Sequence, residues 1–424
     1  MKEKLLQYIW QFQHYNLNEL TTTAGDTLQI IHPGSINTNQ GPDFLEAKIK
    51  LNNTIWVGNI ELHIKGSDWN LHGHSSDDNY NNIILHVVWE NDIAIKDKSG
   101  KCLPTLVLHN RVSKILLEKY TALMNSKFFI PCEKQIHSVN DLTLTSWKQR
   151  MIAERLEDRS KYILQTLEQN NFHWEETFWR LIAKNFGIQQ NSDAFENIAA
   201  SLPVNILAKH KNQIHQLEAL LFGQAGLLNT DFVDEYTKML QREFIFLKKK
   251  YKLKNTDTKI FFLRMRPANF PTIRLAQLAM LVNKSSHLFS NILDETNIEE
   301  VKTLLNVTAN DYWHYHYVFD ELSAFKKKNL GVHMINNILI NTIVPILFTY
   351  GFYHNKQLYK EKAITWLEEI SSEKNNITKG FEALKLSHKS SFDSQAFIQL
   401  KNIYCNHKRC IECAVGNALL KSTE

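Results

Sequence analysis

The chain reads as an α+β protein. A small N-terminal α/β domain with a mixed sheet is expected over residues 1–110, and a large all-helical domain over 111–424. Three observations predict this. Residues 27–108 hold short β-branched and aromatic runs separated by turn residues. From Val112 onward the apolar residues recur at helical spacing. A length of 424 residues exceeds what a single core organises.

The elements follow in order. Leu5, Ile9 and Phe12 fall on one helical face, so residues 4–16 predict a first helix. Thr27–His32 predicts a short strand that Pro33-Gly34 ends. Phe44–Leu51 and Thr54–Ile64 predict a hairpin around Asn52-Asn53. Gly58 inside the second run predicts a bulge or a close backbone approach. Ile83–Glu90, IILHVVWE, is apolar almost throughout and predicts a central strand buried on both faces. Cys102–Leu108 predicts a last strand. Helices are then predicted over Val112–Met124, Thr145–Leu167, Glu175–Phe186, Leu217–Leu228, Phe232–Tyr251 and, opened by Pro271, as far as Val282.

Composition excludes several classes. Hydrophobic residues at 43% and charged residues at 22% are those of a soluble globular chain, not a disordered one. The most apolar run, Ile335–Tyr350, is broken by Asn336, Asn337, Asn341 and Pro345, so a buried helix is expected there and a cytoplasmic location for the protein. Residues 1–110 carry eight lysines and no arginine against twelve acidic residues, which leaves the basic excess to the helical part. An acidic, histidine-rich front and a basic back suit a metal-dependent centre beside an anion-binding body. Five cysteines, an odd number, argue against a disulfide framework.

Four constellations carry candidate chemistry. In the hairpin, Asp43 precedes the first strand and Glu61-Leu62-His63 lies late in the second. Side chains alternate along a strand, so Glu61 and His63 share a face. Two carboxylates hold a hard ion such as Mg²⁺ or Mn²⁺, and His63 would position the attacking water. Next, the loop Ser67–His74, SDWNLHGH, offers Asp68, His72 and His74 as ligands for zinc or manganese. His86, inside an apolar strand, reads as a hydrogen-bonded core histidine. Third, Cys405-x4-Cys410-x2-Cys413 has the spacing of a zinc or [4Fe–4S] site, with Cys132 or His407 as the fourth ligand. Last, Arg264, Arg266 and Arg274 flank the Pro271 helix start and are candidate phosphate contacts.

Pro42-Asp43 and Glu61-Leu62-His63 resemble the PD-(D/E)xK nuclease superfamily, with His63 where that family has lysine. The resemblance covers residues 1–110 and implies a restriction-endonuclease-like sheet and phosphodiester cleavage. One lone cysteine with a C-terminal trio resembles the iron–sulfur staple of certain DNA-processing nucleases, although there the lone cysteine precedes the nuclease core. The set GPDF, GNIELH, SDW, HGH, ILHVVWE, IPCE, LEALLFGQAGLL, RPANFPTIRLAQLA and YCNHKRCIECAVG resembles the bacterial domain-of-unknown-function family 2851 over the whole chain, which implies no activity.

The expected function is that of a metal-dependent nuclease or DNA-processing protein with nucleic acid as partner and no membrane. Two other readings stand beside it: a non-catalytic binding or scaffold protein with a structural metal site, and a zinc hydrolase built on the SDWNLHGH loop.

Overall fold

The computed structural model describes residues 1–422 apart from 99, 257 and 286. The fold is α+β, with a mixed, curled sheet in the N-terminal region and helices after it. The chain forms two compact units, one of residues 1–147 with 401–424 and one of residues 148–400. The division expected at residue 110 thus falls elsewhere. Packing draws the segment 111–147 and the C-terminal segment into the sheet-bearing unit.

In the first unit, helix α1 (Glu3–Gln11) buries Leu5, Leu6, Ile9 and Trp10. Strands β1 (Leu28–His32), β2 (Ser35–Ile36), β3 (Phe44–Leu51), β4 (Thr54–Lys65), β5 (Ile83–Glu90) and β6 (Thr105–Val107) form one sheet. Its order is β1-β3-β4-β5-β6, with β2 beside β3. β3 pairs antiparallel with β1 and β4, while β5 runs parallel to β4 and β6. β5 occupies the run expected of it and is buried from Ile83 to Trp89, as a strand covered on both faces must be. The last strand is shorter than the expected 102–108.

Two irregularities place the site. The β3–β4 ladder shifts between Phe44 and Ala47, where Glu46 takes φ 58°. A bulge of this kind re-aims the start of the strand, and Asp43 stands just before it. The β4–β5 ladder shifts between Asn59 and Ile60. Beside it, a Cβ on Gly58 would lie 2.5 Å from Ile84 Cγ2 and 2.7 Å from the Asn82 carbonyl oxygen. Only glycine lets the two backbones come this close.

A parallel pair needs a crossover connection. The one from β4 to β5 was expected to be mostly loop. The one helical turn expected at Asp77–Asn81 is present as the 3₁₀ turn Asp78–Tyr80, and the connection also contains helix α2 (Asp68–Leu71) and the 3₁₀ turn His74–Ser76. Trp69 anchors it, buried with Ile83, Ile95 and Leu103 and with Tyr80 against them. The Trp69 indole N–H donates to Ser75 Oγ at 3.0 Å.

The second unit is helical. Helix Ile214–Gln224 is buried on every side from Leu217 to Gln224, in keeping with its unbroken apolar sequence. Glu218 within it is fully buried. Its carboxylate accepts from Trp313 Nε1 at 3.0 Å and from the Tyr236 hydroxyl. Pro271 opens the helix Pro271–Lys284. Helical structure over Val332–Tyr353 is long and apolar enough to cross a membrane by length and composition, yet most of it is buried inside the protein.

Candidate metal centre

Glu61 and His63 project from the same face of β4, as strand alternation requires, but this face is not solvated. Glu61 is 5% exposed and His63 fully buried, because the crossover lies over them. The same crossover delivers His72 and His74. The hairpin and loop constellations, separate in the sequence, become one site.

The ligand atoms converge. His63 Nε2 lies 3.2 Å from His72 Nδ1. Glu61 Oε1 lies 3.3 Å from His74 Nε2 and 3.7 Å from His63 Nε2. A tetrahedral ion with metal–ligand bonds of about 2.0–2.1 Å spaces its ligand atoms about 3.3 Å apart. Among the described residues, His63, His72 and His74 form the one group of three or more potential ligands whose atoms all lie within 4.8 Å of one another. His74 Nε2 is buried and makes no hydrogen bond, since its approach to Glu61 is not aligned for one. A buried nitrogen without a hydrogen-bond partner beside a carboxylate oxygen is a position that a cation could satisfy.

Further contacts fix these ligands. His63 Nδ1 lies 2.9 Å from His86 Nε2, so His86 is the expected hydrogen-bonded core histidine and its partner is a candidate ligand. With Nδ1 of His63 donating in this contact, its Nε2 turns a lone pair toward His72 Nδ1, where a cation would sit. The Tyr80 ring stacks on His74 at 3.9 Å. Asp43 Oδ1 accepts from Gln7 Nε2 at 2.8 Å and Oδ2 from the Leu62 amide at 3.2 Å. Glu61 Oε2 accepts from the Asp43 amide at 3.0 Å, which leaves Oε1 turned to the histidines. Asp68 caps the end of β4 instead, where Oδ2 accepts from the Lys65 amide at 2.9 Å.

The electrostatics suit a cation. Burial drives the His63 imidazole down to about 2, helped by His86, His74 and His72. Burial likewise lowers His86 to about 4 and depresses His74. These rings are therefore neutral, with lone pairs available. Burial pushes the Glu61 carboxyl up to about 9, and the charge of Asp43 adds to this. Asp43 rises to about 6 through burial and then the charge of Glu3. Glu3 on α1 is itself raised by burial while His72 pulls it down. Three carboxyl groups thus crowd one pocket beside the neutral rings of His63, His74 and His86. Glu3 and Gln7 were absent from the expected ligand set. Their only signal was their place on one face of the helix preceding the hairpin, four residues apart.

The remaining candidates lie elsewhere. Cys132, Cys405, Cys410 and Cys413 belong to the first unit and are free thiols. In the second unit Arg274 is buried, donating to Gln277 Oε1 at 2.9 Å and Asn269 Oδ1 at 2.6 Å. Arg264 and Arg266 are exposed.

Fold and site together describe an α+β protein with a buried cluster of histidines and a carboxylate that could hold a cation. The chain belongs to the family described as Protein of unknown function (DUF2851), whose model matches residues 3–376. The match stops short of the three C-terminal cysteines. No curated protein and no solved structure matches the chain.

Proposed function

We propose that this protein is a metal-dependent phosphodiester hydrolase acting on nucleic acid, with its centre at Glu61, His63, His72 and His74. The observation that carries the reading is the convergence of the His63, His72 and His74 ligand atoms within 4.8 Å of one another, with Glu61 Oε1 3.3 Å from His74 Nε2 and 3.7 Å from His63 Nε2. Three imidazoles and one carboxylate favour Mn²⁺ or Zn²⁺ over Mg²⁺, which prefers oxygen. An ion held there supplies Lewis acidity toward a phosphoryl oxygen and acidifies a coordinated water.

The chain's own residues do the rest. Glu61 and the histidines hold the ion. His86 orients His63, and the Asp43 amide orients Glu61. The Asp43 carboxyl, at about 6, is matched to accepting a proton near neutral pH. Exposed His72 leaves the pocket open to solvent on one side, as a catalytic centre requires and a closed structural site does not. Support for a phosphodiester substrate comes from the hairpin resemblance, now joined by Glu3 from the preceding helix. In the helical unit Arg264 and Arg266 remain for phosphate contact.

The test is nicking of plasmid, branched DNA and RNA with Mn²⁺ or Zn²⁺. Cleavage is expected in the wild type and lost in Glu61→Ala and His63→Ala. Cleavage that survives both substitutions contradicts the assignment. Stoichiometric metal without any cleavage favours the non-catalytic reading.

A further inference from the structure

The four cysteines outside the histidine pocket come from two distant stretches of sequence. The loop after helix α3 (Lys114–Asn125) carries Cys132, and the last segment carries Cys405, Cys410 and Cys413. The two stretches are tied together. Lys401 Nζ sits 5.0 Å over the Phe129 ring, and Lys408 Nζ donates to the Met124 carbonyl. Lys119 Nζ on α3 donates to the Ser422 carbonyl and hydroxyl, both at 2.8 Å. Helix Ala414–Lys421 packs on α3.

The local backbone is built around the sulfurs. Cys410–Glu412 makes a 3₁₀ turn closed by the Cys413 amide on the Cys410 carbonyl at 3.3 Å. Cys413 stands at the N-terminal cap of helix Ala414–Lys421. The Val415 and Gly416 amides and the Trp147 indole lie beside its sulfur and draw the thiol toward its anionic form, against the larger effect of burial. A Cβ on Gly416 would lie 2.1 Å from the Cys410 carbonyl oxygen, so glycine is what lets this turn close.

Cys132, Cys410 and Cys413 are buried. Burial raises all four thiols, Cys132 and Cys410 to about 12. Next in size at Cys132, Cys405 and Cys410 comes the charge of the other cysteines, which places the four together. Three buried thiols and a fourth beside them, brought together from two distant stretches, are a donor set for a metal centre.

We propose that Cys132, Cys405, Cys410 and Cys413 hold one [4Fe–4S] cluster that fastens the C-terminal segment to the loop after α3. A single zinc ion is the tighter alternative. Its four sulfurs, bonded at about 2.3 Å, stand about 3.8 Å apart. Among the described residues no three of these sulfurs lie within 4.8 Å of one another, because the histidine group alone meets that spacing. An iron–sulfur cube holds its four thiolates at its corners and needs the wider arrangement.

The experiment is anaerobic purification of the full chain, with iron, acid-labile sulfide and zinc measured together. About four iron and four sulfide per chain are expected, with a brown colour. Cys132→Ser and Cys410→Ser should each lose most of the iron, and Cys102→Ser, at an exposed thiol, should keep it. Since the first two variants can fail to fold, the wild type provides a second readout. Oxidative removal of the cluster should expose the segment after residue 400 to protease, and reconstitution with ferrous iron and sulfide should protect it again. One zinc per chain without iron overturns the cluster. So does a chain that takes up neither metal after reconstitution, or iron retained in both serine variants. The sulfide count and the protease readout do not depend on the histidine pocket, and metal counts repeated in His63→Ala remove any ion held there.

Discussion

Asp43 and Glu61 clasp each other across the β3–β4 ladder. The Asp43 amide donates to Glu61 Oε2 at 3.0 Å, and Asp43 Oδ2 accepts from the amide of Leu62, next to Glu61, at 3.2 Å. The clasp uses up one oxygen of each carboxyl and turns the free Glu61 oxygen to the histidines. It also sets two acidic groups side by side in a buried place, and Glu61 bears most of that cost.

Metal binding should therefore release a proton. With its carboxyl pushed up to about 9, Glu61 is protonated at pH 7 when no ion is bound. A cation must displace that proton, so affinity should climb as pH rises and level off above about 9. Calorimetric titration with Mn²⁺ in buffers of different ionisation heat should show about one proton released per ion at pH 7. Glu61→Gln should release none. Equal proton release in wild type and variant contradicts this role for Glu61.

The metal-free protein should be more stable in mild acid than in base. Glu61 has a folded-state pKa above its unfolded value of about 4.5. The folded state therefore binds more protons, and its advantage is complete below about pH 4.5 and lost as pH rises through about 9. Buried neutral His63 and His86 act in the acid range instead. Their folded values of about 2 and 4 lie below the ordinary imidazole value, so they cost stability as pH falls below about 6.5. Denaturant midpoints of the apo chain between pH 7 and 9 should fall, and Glu61→Gln should flatten that limb. An unchanged slope in the variant would place the titration elsewhere.

His86 acts through His63. His86→Leu removes the partner of His63 Nδ1 while leaving every proposed ligand in place. Loss of such a partner costs roughly 10–100-fold in metal affinity. A variant that is folded by circular dichroism but binds Mn²⁺ as tightly as the wild type would show that the contact is only packing.

The close approach at Gly58 can be tested without any ligand. Gly58→Ala forces a methyl against Ile84 and the Asn82 carbonyl, an overpacking that costs about 1–3 kcal/mol. Chemical denaturation should show the loss, and metal affinity should drop with it because β4 carries both Glu61 and His63. Full stability in this variant would mean that β4 and β5 can part cheaply.

In the helical unit, Glu218→Ala should cost about 3 kcal/mol or more. It strands the buried Trp313 indole N–H and Tyr236 hydroxyl, and Glu218→Gln should cost distinctly less because it keeps an acceptor. Similar losses in the two variants would point to volume rather than hydrogen bonding.

Much of the fold was legible in the chain. β5 announced itself by continuous apolar residues, and alternation put Glu61 and His63 on one face. The convergence of the site was not legible. His72 and His74 lie in a crossover whose path is set by Trp69 packing on Ile83, Ile95 and Leu103, contacts between residues far apart in sequence. Read locally, the hairpin and the loop looked like two weak sites. The choice of Cys132 as partner of Cys405, Cys410 and Cys413 anticipated that their two stretches meet, but no local pattern records that both belong to the sheet-bearing unit.

The most direct measurement is a count of free Mn²⁺ by electron paramagnetic resonance as the full chain is titrated. Manganese favours nitrogen and oxygen donors, so the cysteines do not compete for it. One tightly held Mn²⁺ per chain is predicted, lost in His63→Ala and in Glu61→Ala. No bound manganese, or the same binding in both variants, would contradict a metal centre at Glu61, His63, His72 and His74.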